Sequence, residues 1–330
     1  MPADTLGEFG RIARFFRPLA AGFPGALNLT DDAAVLSVPP GQELVLTTDA
    51  VVAGVHFLPT DAPGDIARKA LRVNLSDLAA KGARPLAYTL TLATRRDIGD
   101  GWVEAFAAGL AADQAAYGIA LAGGDSVSTE GPVWISITAL GLVDAGRMVK
   151  RGGARPGDAV LVTGTIGDAA LGLMVEQGRL NVAEADRDAL VDRYRLPRPR
   201  THLAGAIGAH AHSALDVSDG LAADFGHLCL ASQVIGRIEV SRLPLSPAAR
   251  RAVLADPSLI AQVLSGGDDY EVLLTAPAEA VPGLRAAATA ARIEITEVGS
   301  IERAESAGEA YLIDDAGKRV RLERSGWTHD

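Results

Sequence analysis

The sequence contains a single cysteine, Cys229, so it can form no internal disulfide and no cysteine-based metal cage. Because Cys229 lies in the apolar stretch HLCLAS, the sequence favours a small buried side chain there. No run of Lys or Arg forms a basic stripe, and the formal net charge is −10. This balance argues against a nucleic-acid-binding protein and against binding to an anionic membrane.

Long apolar runs are also missing. The stretch WISITALGLV is far too short to span a bilayer and includes polar residues. Residues 1–16 lack the basic start, apolar core and small-residue cleavage site of a signal peptide. We therefore expect a soluble, cytoplasmic protein.

The common catalytic and phosphate-binding motifs are absent. The stretch GTIGDAALG at residues 164–172 resembles a glycine-rich loop, but no Lys-Ser or Lys-Thr follows, and it does not fit G-x-G-x-x-G. Its glycines are more simply explained by packing between a strand and a helix. Neither G-x-S-x-G nor H-E-x-x-H occurs, so a serine hydrolase and a zinc protease have no support.

What is present is a regular succession of strands and helices. In residues 1–146, the segments AAVLSV, ELVLTTDAVV, LAYTLTLAT, IALAGG and VWISITALGLV predict strands, and DIARKALRVNLSDLAAKGA and WVEAFAAGLAADQAAYG predict helices. In residues 147–330, the strand segments are AVLVTG, SALDV, GRIEV, YEVLLT and IEITEVG. The helical segments there are GDAALGLMVEQ, LAADFGHLCLAS and an Ala-rich run from 278 to 290.

The chain is long enough for about two domains of ordinary size. The polar, Gly-rich segment 144–158 marks the junction, which gives predicted domains of 1–146 and 147–330. The mixture of elements predicts an α+β fold in which each domain is a sheet with helices on one face.

Aspartates recur at the predicted ends of strands, beside glycine or hydroxyl residues. Taken singly, each has a plain structural explanation as a helix cap or a turn residue. They occur in TDDAAV (Asp31, Asp32), TTDAVV (Thr47, Thr48, Asp49), NLSD (Asn74, Asp77), GGDSV (Gly123, Gly124, Asp125), DVSDG (Asp216, Ser218, Asp219) and GGDDYE (Asp268, Asp269).

Asp77 is the hardest of these to explain as a cap. It shares one face of a Leu- and Ala-rich helix with Asn74, and a buried carboxylate there is costly unless it is paired or binds a metal. Oxygen ligands without His or Cys clusters favour Mg²⁺, Mn²⁺ or Ca²⁺ over zinc. Mg²⁺ commonly takes one or two carboxylates together with water and substrate phosphates, so the set predicts Mg²⁺ and a phosphate compound.

Together these stretches resemble the thiamine-monophosphate kinase family, within the superfamily of aminoimidazole ribonucleotide synthetase and selenophosphate synthetase. The motifs are TDDAAV, TTDAVVAGVHF, KALRVNLSDLAAKGARP, GGDSV, VKRGGARPGDAVLVTGTIGDAALGL, DVSDGLAADFGHL and SGGDDYE. They stand in the family's order and cover the chain from about residue 5 to residue 329. The resemblance implies a two-domain PurM-like fold with a mixed N-terminal sheet that pairs across a homodimer, and a C-terminal α/β sandwich domain.

The resemblance also implies an activity. ATP, the co-substrate, would phosphorylate thiamine monophosphate to thiamine diphosphate with several Mg²⁺ ions and without a protein general base. The positions that resemble metal ligands are Asp32, Thr47, Thr48, Asp49, Asp77, Asp125, Asp216 and Asp219. Those that resemble ATP contacts are Gly124, Asp125, Arg151 and Ser218, and those that match thiamine contacts are His56, Asp268 and Trp327.

Three departures from the family pattern concern the substrate side. Thr30 stands where the family usually has Gly, and Asp268 stands where it usually has Glu. The chain ends GWTHD, whereas the family's aromatic residue usually precedes a His-Phe ending. Without the family context, Arg151 is equally well read as an exposed linker residue and Trp327 as a packing residue.

Other members of the superfamily fit less well. A selenophosphate synthetase needs a reactive Cys near its N-terminus, and a hydrogenase-maturation dehydratase needs one at its C-terminus; this chain has neither. GVHF and GGDDYE disfavour aminoimidazole ribonucleotide synthetase. A different class of protein, an inactive sensor of Mg-nucleotide, is disfavoured by the complete aspartate set.

Overall fold

The computed structural model describes residues 6–303 and 308–327. Its backbone contacts divide the chain into two compact units. Unit 1 comprises Met1–Leu78 and Arg84–Gly146, and unit 2 comprises Ala79–Ala83 and Arg147–Asp330. The chain thus passes into unit 2 after Gly146, as well as briefly at residues 79–83, an excursion that the sequence did not indicate.

Unit 1 is built on a mixed sheet whose described strands are β1 (Gln42–Val52), β2 (Arg84–Arg95), β3 (Ala120–Thr129) and β4 (Trp134–Asp144). Their order is β1-β4-β2-β3. Strand β4 is antiparallel to both of its neighbours, and β3 is parallel to β2. The mixed character follows from the connections, because a parallel pair needs a long crossover and a helix separates β2 from β3 in the chain.

The helices of unit 1 are α1 (Glu8–Arg11), α2 (Arg17–Ala20), α3 (Pro63–Ala80), whose last two residues belong to unit 2, and α4 (Asp100–Tyr117). A π-helical turn, Ile12–Phe16, joins the first two, and a 3-10 segment, Pro24–Leu29, follows them. Helices α3 and α4 approach closely, since a Cβ added at Gly109 would lie 2.3 Å from the carbonyl oxygen of Gly64. The buried Arg72 guanidinium on α3 also pairs with Asp113 on α4, at 2.6 Å.

One predicted strand of this unit is wrong. Residues 33–38, AAVLSV, form no strand in the described structure. The Val35 N–H instead donates to the carbonyl oxygen of Gly25 at 2.9 Å, and two prolines, which have no N–H to donate to a ladder, follow directly. The side chain of Val35 is largely exposed, so the alternating apolar pattern does not reflect a buried face within this chain.

Unit 2 is built on a second mixed sheet with strand order β10-β7-β9-β5-β8-β6. Its described strands are β5 (Ala159–Thr163), β6 (Ser213–Asp216), β7 (Val234–Glu239), β8 (Val272–Ala276), β9 (Ile295–Arg303) and β10 (Glu309–Ile313). Its helices are α5 (Asp168–Glu176), α6 (Glu184–Arg195), α7 (Ala204–His210), α8 (Leu221–Ser232), α9 (Pro247–Ala255), α10 (Leu259–Ser265) and α11 (Val281–Ala290).

The core of unit 2 lies on both faces of its sheet. Val160 and Val162 of β5 belong to one apolar cluster, which also contains residues of α5, α6, α8, α9 and α10. Leu161 points the opposite way, into a second cluster with residues of α7 and α11. The expectation of helices on one face is therefore wrong for this unit, where two helical layers enclose the sheet. Within the described residues, no helix combines the length and the apolar character needed to span a bilayer.

Candidate functional site

Unit 1 brings together Thr47 and Asp49 of β1 with Asp77 of α3. The Thr47 hydroxyl donates to Asp77 Oδ2 at 2.5 Å, and the Asp49 N–H donates to Asn74 Oδ1 at 3.1 Å. Residues 47 and 49 share one face of the strand, while Asn74 and Asp77 share one face of the helix. The two short sequence motifs therefore meet side chain to side chain.

Asp49 and Asp77, hereafter the carboxylate pair, are close enough to influence each other. Burial raises the pKa of Asp49 to about 7, and the charge of Asp77 adds to the shift. Two carboxylates in such a position are stabilised by a shared proton or by a cation.

The donor set of the carboxylate pair and Thr47 fits Mg²⁺, because it consists of hard oxygen atoms without His or Cys. Among residues 6–303 and 308–327, no group of three or more His, Cys, Asp or Glu side chains is placed to hold a metal ion. An ion at the carboxylate pair would thus complete its coordination with water and phosphate oxygens, as Mg²⁺ commonly does.

Thr48 is not brought into this cluster by its side chain. Its hydroxyl donates to the carbonyl oxygen of Ile137 at 3.2 Å and accepts from the Thr138 hydroxyl at 3.0 Å. Alternation along β1 places it on the face opposite to that of Thr47 and Asp49. Of the eight predicted metal ligands, Thr47, Asp49 and Asp77 therefore lie together, whereas Thr48 is on the opposite face of the sheet.

A second group of predicted residues lines a pocket of about 650 Å³ in unit 1. Asp32, Gly124 and Asp125 all contribute to its wall, together with apolar side chains such as Phe16 and Leu121. Gly124 is required by the close approach of β2 and β3, since a Cβ there would lie 1.9 Å from the carbonyl oxygen of Leu90. This pocket has room for a nucleotide-sized ligand.

Thr30, a departure from the family pattern, also lines this pocket. Its φ of −116° needs no glycine, and its hydroxyl donates to the carbonyl oxygen of Leu27 at 2.8 Å. The backbone therefore accommodates this substitution without strain.

The pocket and the carboxylate pair are separate places in unit 1. Asp49 is on edge strand β1 and Asp125 is on the opposite edge strand β3, with β4 and β2 between them. Three strand spacings correspond to roughly 14 Å. One ion cannot be ligated by both groups within a single chain.

His56 follows β1 in the same unit. Its Nδ1 accepts a hydrogen bond from the Val52 N–H at 3.2 Å, so a neutral imidazole carries its proton on Nε2. The ring is half-buried.

In unit 2, the DVSDG motif forms the turn between β6 and α8. Asp216 ends the strand, and Gly220, with φ of 120°, precedes the helix. The Asp219 and Gly220 N–H groups both donate to Asp224 Oδ2, at 3.0 and 3.1 Å. Asp224, to which sequence reasoning gave no role, thus fixes the backbone that carries Asp219.

Asp224 is buried, and burial raises its pKa to about 7, with the charge of Asp219 adding to the shift and Arg151 opposing it. Arg151 therefore lies near enough to this turn to act on it electrostatically, while its backbone carbonyl accepts from the Ser213 hydroxyl at 2.8 Å. Its side chain is exposed. The only sequence signal for Asp224 was its position in the first turn of a predicted helix.

The GGDDYE motif runs beside the same turn. The Asp268 N–H donates to the carbonyl oxygen of Ser218, and the Tyr270 N–H donates to that of Val217, both at 2.9 Å. Asp268 has a φ of 74°, in the left-handed region where Asp is more readily tolerated than most residues. Sequence reasoning proposed Ser218 and Asp268 separately, and the structure places them on adjacent segments.

Trp327 is tied to the same turn from the C-terminal side. Its N–H donates to the carbonyl oxygen of Asp219 at 2.9 Å, and 55% of its surface is exposed. A Cβ added at Gly326 would lie 2.8 Å from that same carbonyl oxygen. The backbone at residues 326 and 327 is thus packed against the turn, while the indole side chain remains accessible to solvent. The last three residues of the predicted tail motif lie outside the described residues.

The chain matches two domain families. Residues 30–143 match the AIR synthase related protein N-terminal domain, and residues 155–310 match the AIR synthase related protein C-terminal domain. The thiamine-monophosphate kinase of Caulobacter vibrioides is 45% identical over 325 residues, which cover 98% of this chain and 90% of that protein.

Solved structures show the same relationship in three dimensions. The thiamine-monophosphate kinase of Stenotrophomonas maltophilia K279a superposes with a TM-score of 0.80 at 39% identity, over 88% of this chain and 91% of that one. AaThiL, in its complex with AMPPCP and TMP, superposes with a TM-score of 0.78 at 32% identity, over 98% of this chain and 97% of that one. The α+β, PurM-like fold is thereby confirmed, and the chain belongs to the thiamine-monophosphate kinase family.

Proposed function

We propose that this protein transfers the γ-phosphoryl group of ATP to the phosphate of thiamine monophosphate, giving thiamine diphosphate and ADP. The observation that carries the proposal is the likeness over 98% of the chain to AaThiL, a structure that contains an ATP analogue and TMP. The meeting of Thr47, Asp49 and Asp77 supports it independently, because phosphoryl transfer depends on metal-binding oxygen groups.

The proposed acceptor sets the chemical problem. A phosphate monoester has a second pKa of about 6, so its attacking oxygen is largely ionised at neutral pH. No side chain has to remove a proton from it. The work left to the protein is to hold two anionic phosphates in line and to neutralise their charge.

The acidic residues suit that work because they could hold Mg²⁺, which would supply positive charge to the phosphate groups. Thr47, Asp49 and Asp77 would hold one ion in unit 1, with Asp32 and Asp125 at the pocket and Asp216 and Asp219 in unit 2 as further proposed ligands. Thr48 is the eighth predicted ligand, but its hydroxyl faces away from Thr47, Asp49 and Asp77.

The remaining residues divide between the two substrates. Four residues are proposed to contact ATP: Gly124 and Asp125, in the pocket of unit 1, Ser218, in the 216–219 turn of unit 2, and Arg151, in unit 2 and near that turn. An Arg side chain suits a phosphate, to which it can donate two hydrogen bonds at once. His56, Asp268 and Trp327 are proposed to contact thiamine monophosphate, whose cationic thiazolium can stack on the indole.

We further propose that the protein is a homodimer formed through the sheet of unit 1. Strand β1 is an edge strand, and its outward-facing Leu44 and Leu46 are exposed. An exposed apolar edge strand is a surface that proteins normally cover, here by a second copy of the chain. Because the proposed donor is ATP, the proposed location is the cytoplasm.

The deciding experiment incubates the purified protein with thiamine monophosphate, ATP and MgCl₂, and follows thiamine diphosphate by chromatography. We expect product to form in proportion to enzyme, and formation to stop when the metal is chelated. The alternative, a protein that only senses Mg-nucleotide, would bind ATP with no turnover. Binding without product would overturn the proposed function.

A further inference from the structure

The segment Gly266–Glu271, hereafter the 266–271 segment, has an unusual backbone. Asp268 and Tyr270 have φ values of 74° and 50°, in the left-handed region on either side of Asp269. For a bulky residue such as Tyr this conformation is unfavourable and persists only when the surroundings enforce it. Some interaction must therefore hold this segment in shape.

The side chain of Asp269 supplies such an interaction. It is 1% exposed, and its Oδ2 accepts from the Gly167 N–H at 2.7 Å while its Oδ1 accepts from the Ala169 N–H at 3.4 Å. These two N–H groups belong to the start of α5, where a carboxylate is favoured by the helix dipole. A glycine-rich loop would offer such groups to a ligand phosphate, but here the chain's own carboxylate occupies them.

The main chain of the segment is held on its other side as well. The N–H groups of its two left-handed residues donate to carbonyl oxygens next to Asp216 and Asp219, as described above. The guanidinium of Arg193, itself buried and paired with Glu271 at 2.7 Å, donates to the carbonyl oxygen of Asp269 at 3.3 Å. Asp269 thus links three parts of unit 2 that are distant in sequence.

We propose that Asp269 is a positioning residue for thiamine monophosphate: by anchoring the 266–271 segment to the start of α5, it holds Asp268 where its side chain meets the substrate. This inference rests on the proposed function and adds to it a residue that does not itself touch the substrate. It also explains why a carboxylate is buried here, at a cost that a purely apolar packing residue would avoid.

The test compares Asp269→Asn with a matched control, Asp168→Asn. Asp168 is 2% exposed and lies at the same helix end, but its carboxylate accepts from Thr165 and Ser246, not from the 266–271 segment. In Asp269→Asn, the amide oxygen can accept from only one of the two N–H groups, and the amide nitrogen must face the other. The anchor is therefore weakened without a change of size. We expect the KM for thiamine monophosphate to rise roughly tenfold in Asp269→Asn, with the KM for ATP nearly unchanged. In Asp168→Asn we expect both KM values to stay near those of the unsubstituted protein.

Hydrogen exchange provides a readout besides activity. The N–H groups of Asp268 and Tyr270 should exchange at least about tenfold faster in Asp269→Asn and at the ordinary rate in Asp168→Asn. Faster exchange together with no thiamine diphosphate from the unsubstituted protein would uphold the anchor but refute the proposed function. Unchanged exchange and unchanged KM in a folded Asp269→Asn protein would overturn the inference, as would equal effects in both variants.

If Asp269→Asn fails to fold, Gly267→Ala decides. A Cβ at residue 267 would lie 2.3 Å from the carbonyl oxygen of Ser218, so it must push the 266–271 segment and the 216–219 turn apart without touching α5. A selective rise in the KM for thiamine monophosphate supports the inference. A KM equal to that of the unsubstituted protein shows that the position of the segment does not matter, and refutes it.

Discussion

Two effects destabilise the ionised form of Asp49 in the carboxylate pair. Its side chain is shielded from water, and it lies near the like charge of Asp77. Replacing Asp49 by Asn removes the like charge and the cost of burying a charge, since an amide is neutral, but it also removes one oxygen and the negative charge that would bind a metal. We expect Asp49→Asn to fold, to melt at the same or a higher temperature, and to lose kcat/KM by about 100-fold or more. Thermal melting and the thiamine diphosphate assay measure the two effects.

Asp97→Asn is a suitable control for this substitution. It makes the same chemical change at an exposed residue that pairs with Arg95 and lies outside the carboxylate pair. Its kinetics should equal those of the unsubstituted protein. Near-normal turnover by Asp49→Asn would refute the assignment of Asp49 as a metal ligand.

Trp327 allows a selective prediction on the substrate side. A Trp face attracts a cation by about 0.5–2 kcal/mol, so Trp327→Ala should raise the KM for thiamine monophosphate roughly threefold to thirtyfold and leave the KM for ATP almost unchanged. Gly326→Ala should act in the same direction, because its Cβ would lie 2.4 Å from the Ala223 Cβ and displace the tail. If both variants merely melt earlier with unchanged kinetics, the tryptophan serves packing alone.

Residues whose role depends on local pattern could be proposed from the sequence, and those whose role depends on distant partners could not. DVSDG indicated Asp216 and Asp219 through their spacing. Asp269 accepts hydrogen bonds from the start of α5, a helix that begins 101 positions earlier in the chain, so no short motif revealed its role. The direction of the Thr48 side chain could have been predicted from the sequence. Side chains alternate along a strand, so Thr48 must point to the face opposite to that of Thr47 and Asp49.

The crossing of α3 and α4 leaves no room for a side chain at Gly109. At Gly109 the two backbones touch, so Gly109→Ala forces them apart and should destabilise the protein by about 1–3 kcal/mol. Gly101→Ala lies on the same helix with nothing within 4 Å of the added Cβ, so it should be neutral or slightly stabilising. Urea unfolding of both variants measures the difference, and equal midpoints would contradict the close contact.

Elements with strong periodicity and clear ends were predictable. LAADFGHLCLAS was predicted as a helix and forms α8, Leu221–Ser232. The polar helix α6, with Asp and Arg throughout, gave no apolar stripe to recognise, and β10 lies beyond the last predicted strand. The helices on both faces of the sheet in unit 2 could not be read from local pattern, because the choice of face depends on the connections between elements.

At the scale of the whole molecule, the proposed homodimer depends on the exposed face of β1. Leu46→Glu places a charge in the proposed interface and should convert a species of twice 34.1 kDa into a monomer at micromolar concentration. Leu254, on α9 of unit 2, is even more exposed, and Leu254→Glu should leave the dimer intact. Analytical ultracentrifugation separates these outcomes, and a monomeric unsubstituted protein would refute the dimer.

The excursion of residues 79–83 into unit 2 limits how this protein can be divided or recombined. Ala80 is fully buried in a cluster of unit 2 with Ala214 and Leu274, and the Lys81 ammonium donates to the carbonyl oxygen of Ala214 at 2.8 Å. A gene fragment that starts at residue 147 would encode unit 2 with this part of its core missing. A recombination that exchanges unit 2 between two relatives would therefore also have to exchange residues 79–83, which are encoded in the middle of unit 1. We expect such exchanges to be rare, so that both units of a chain come from the same ancestral gene.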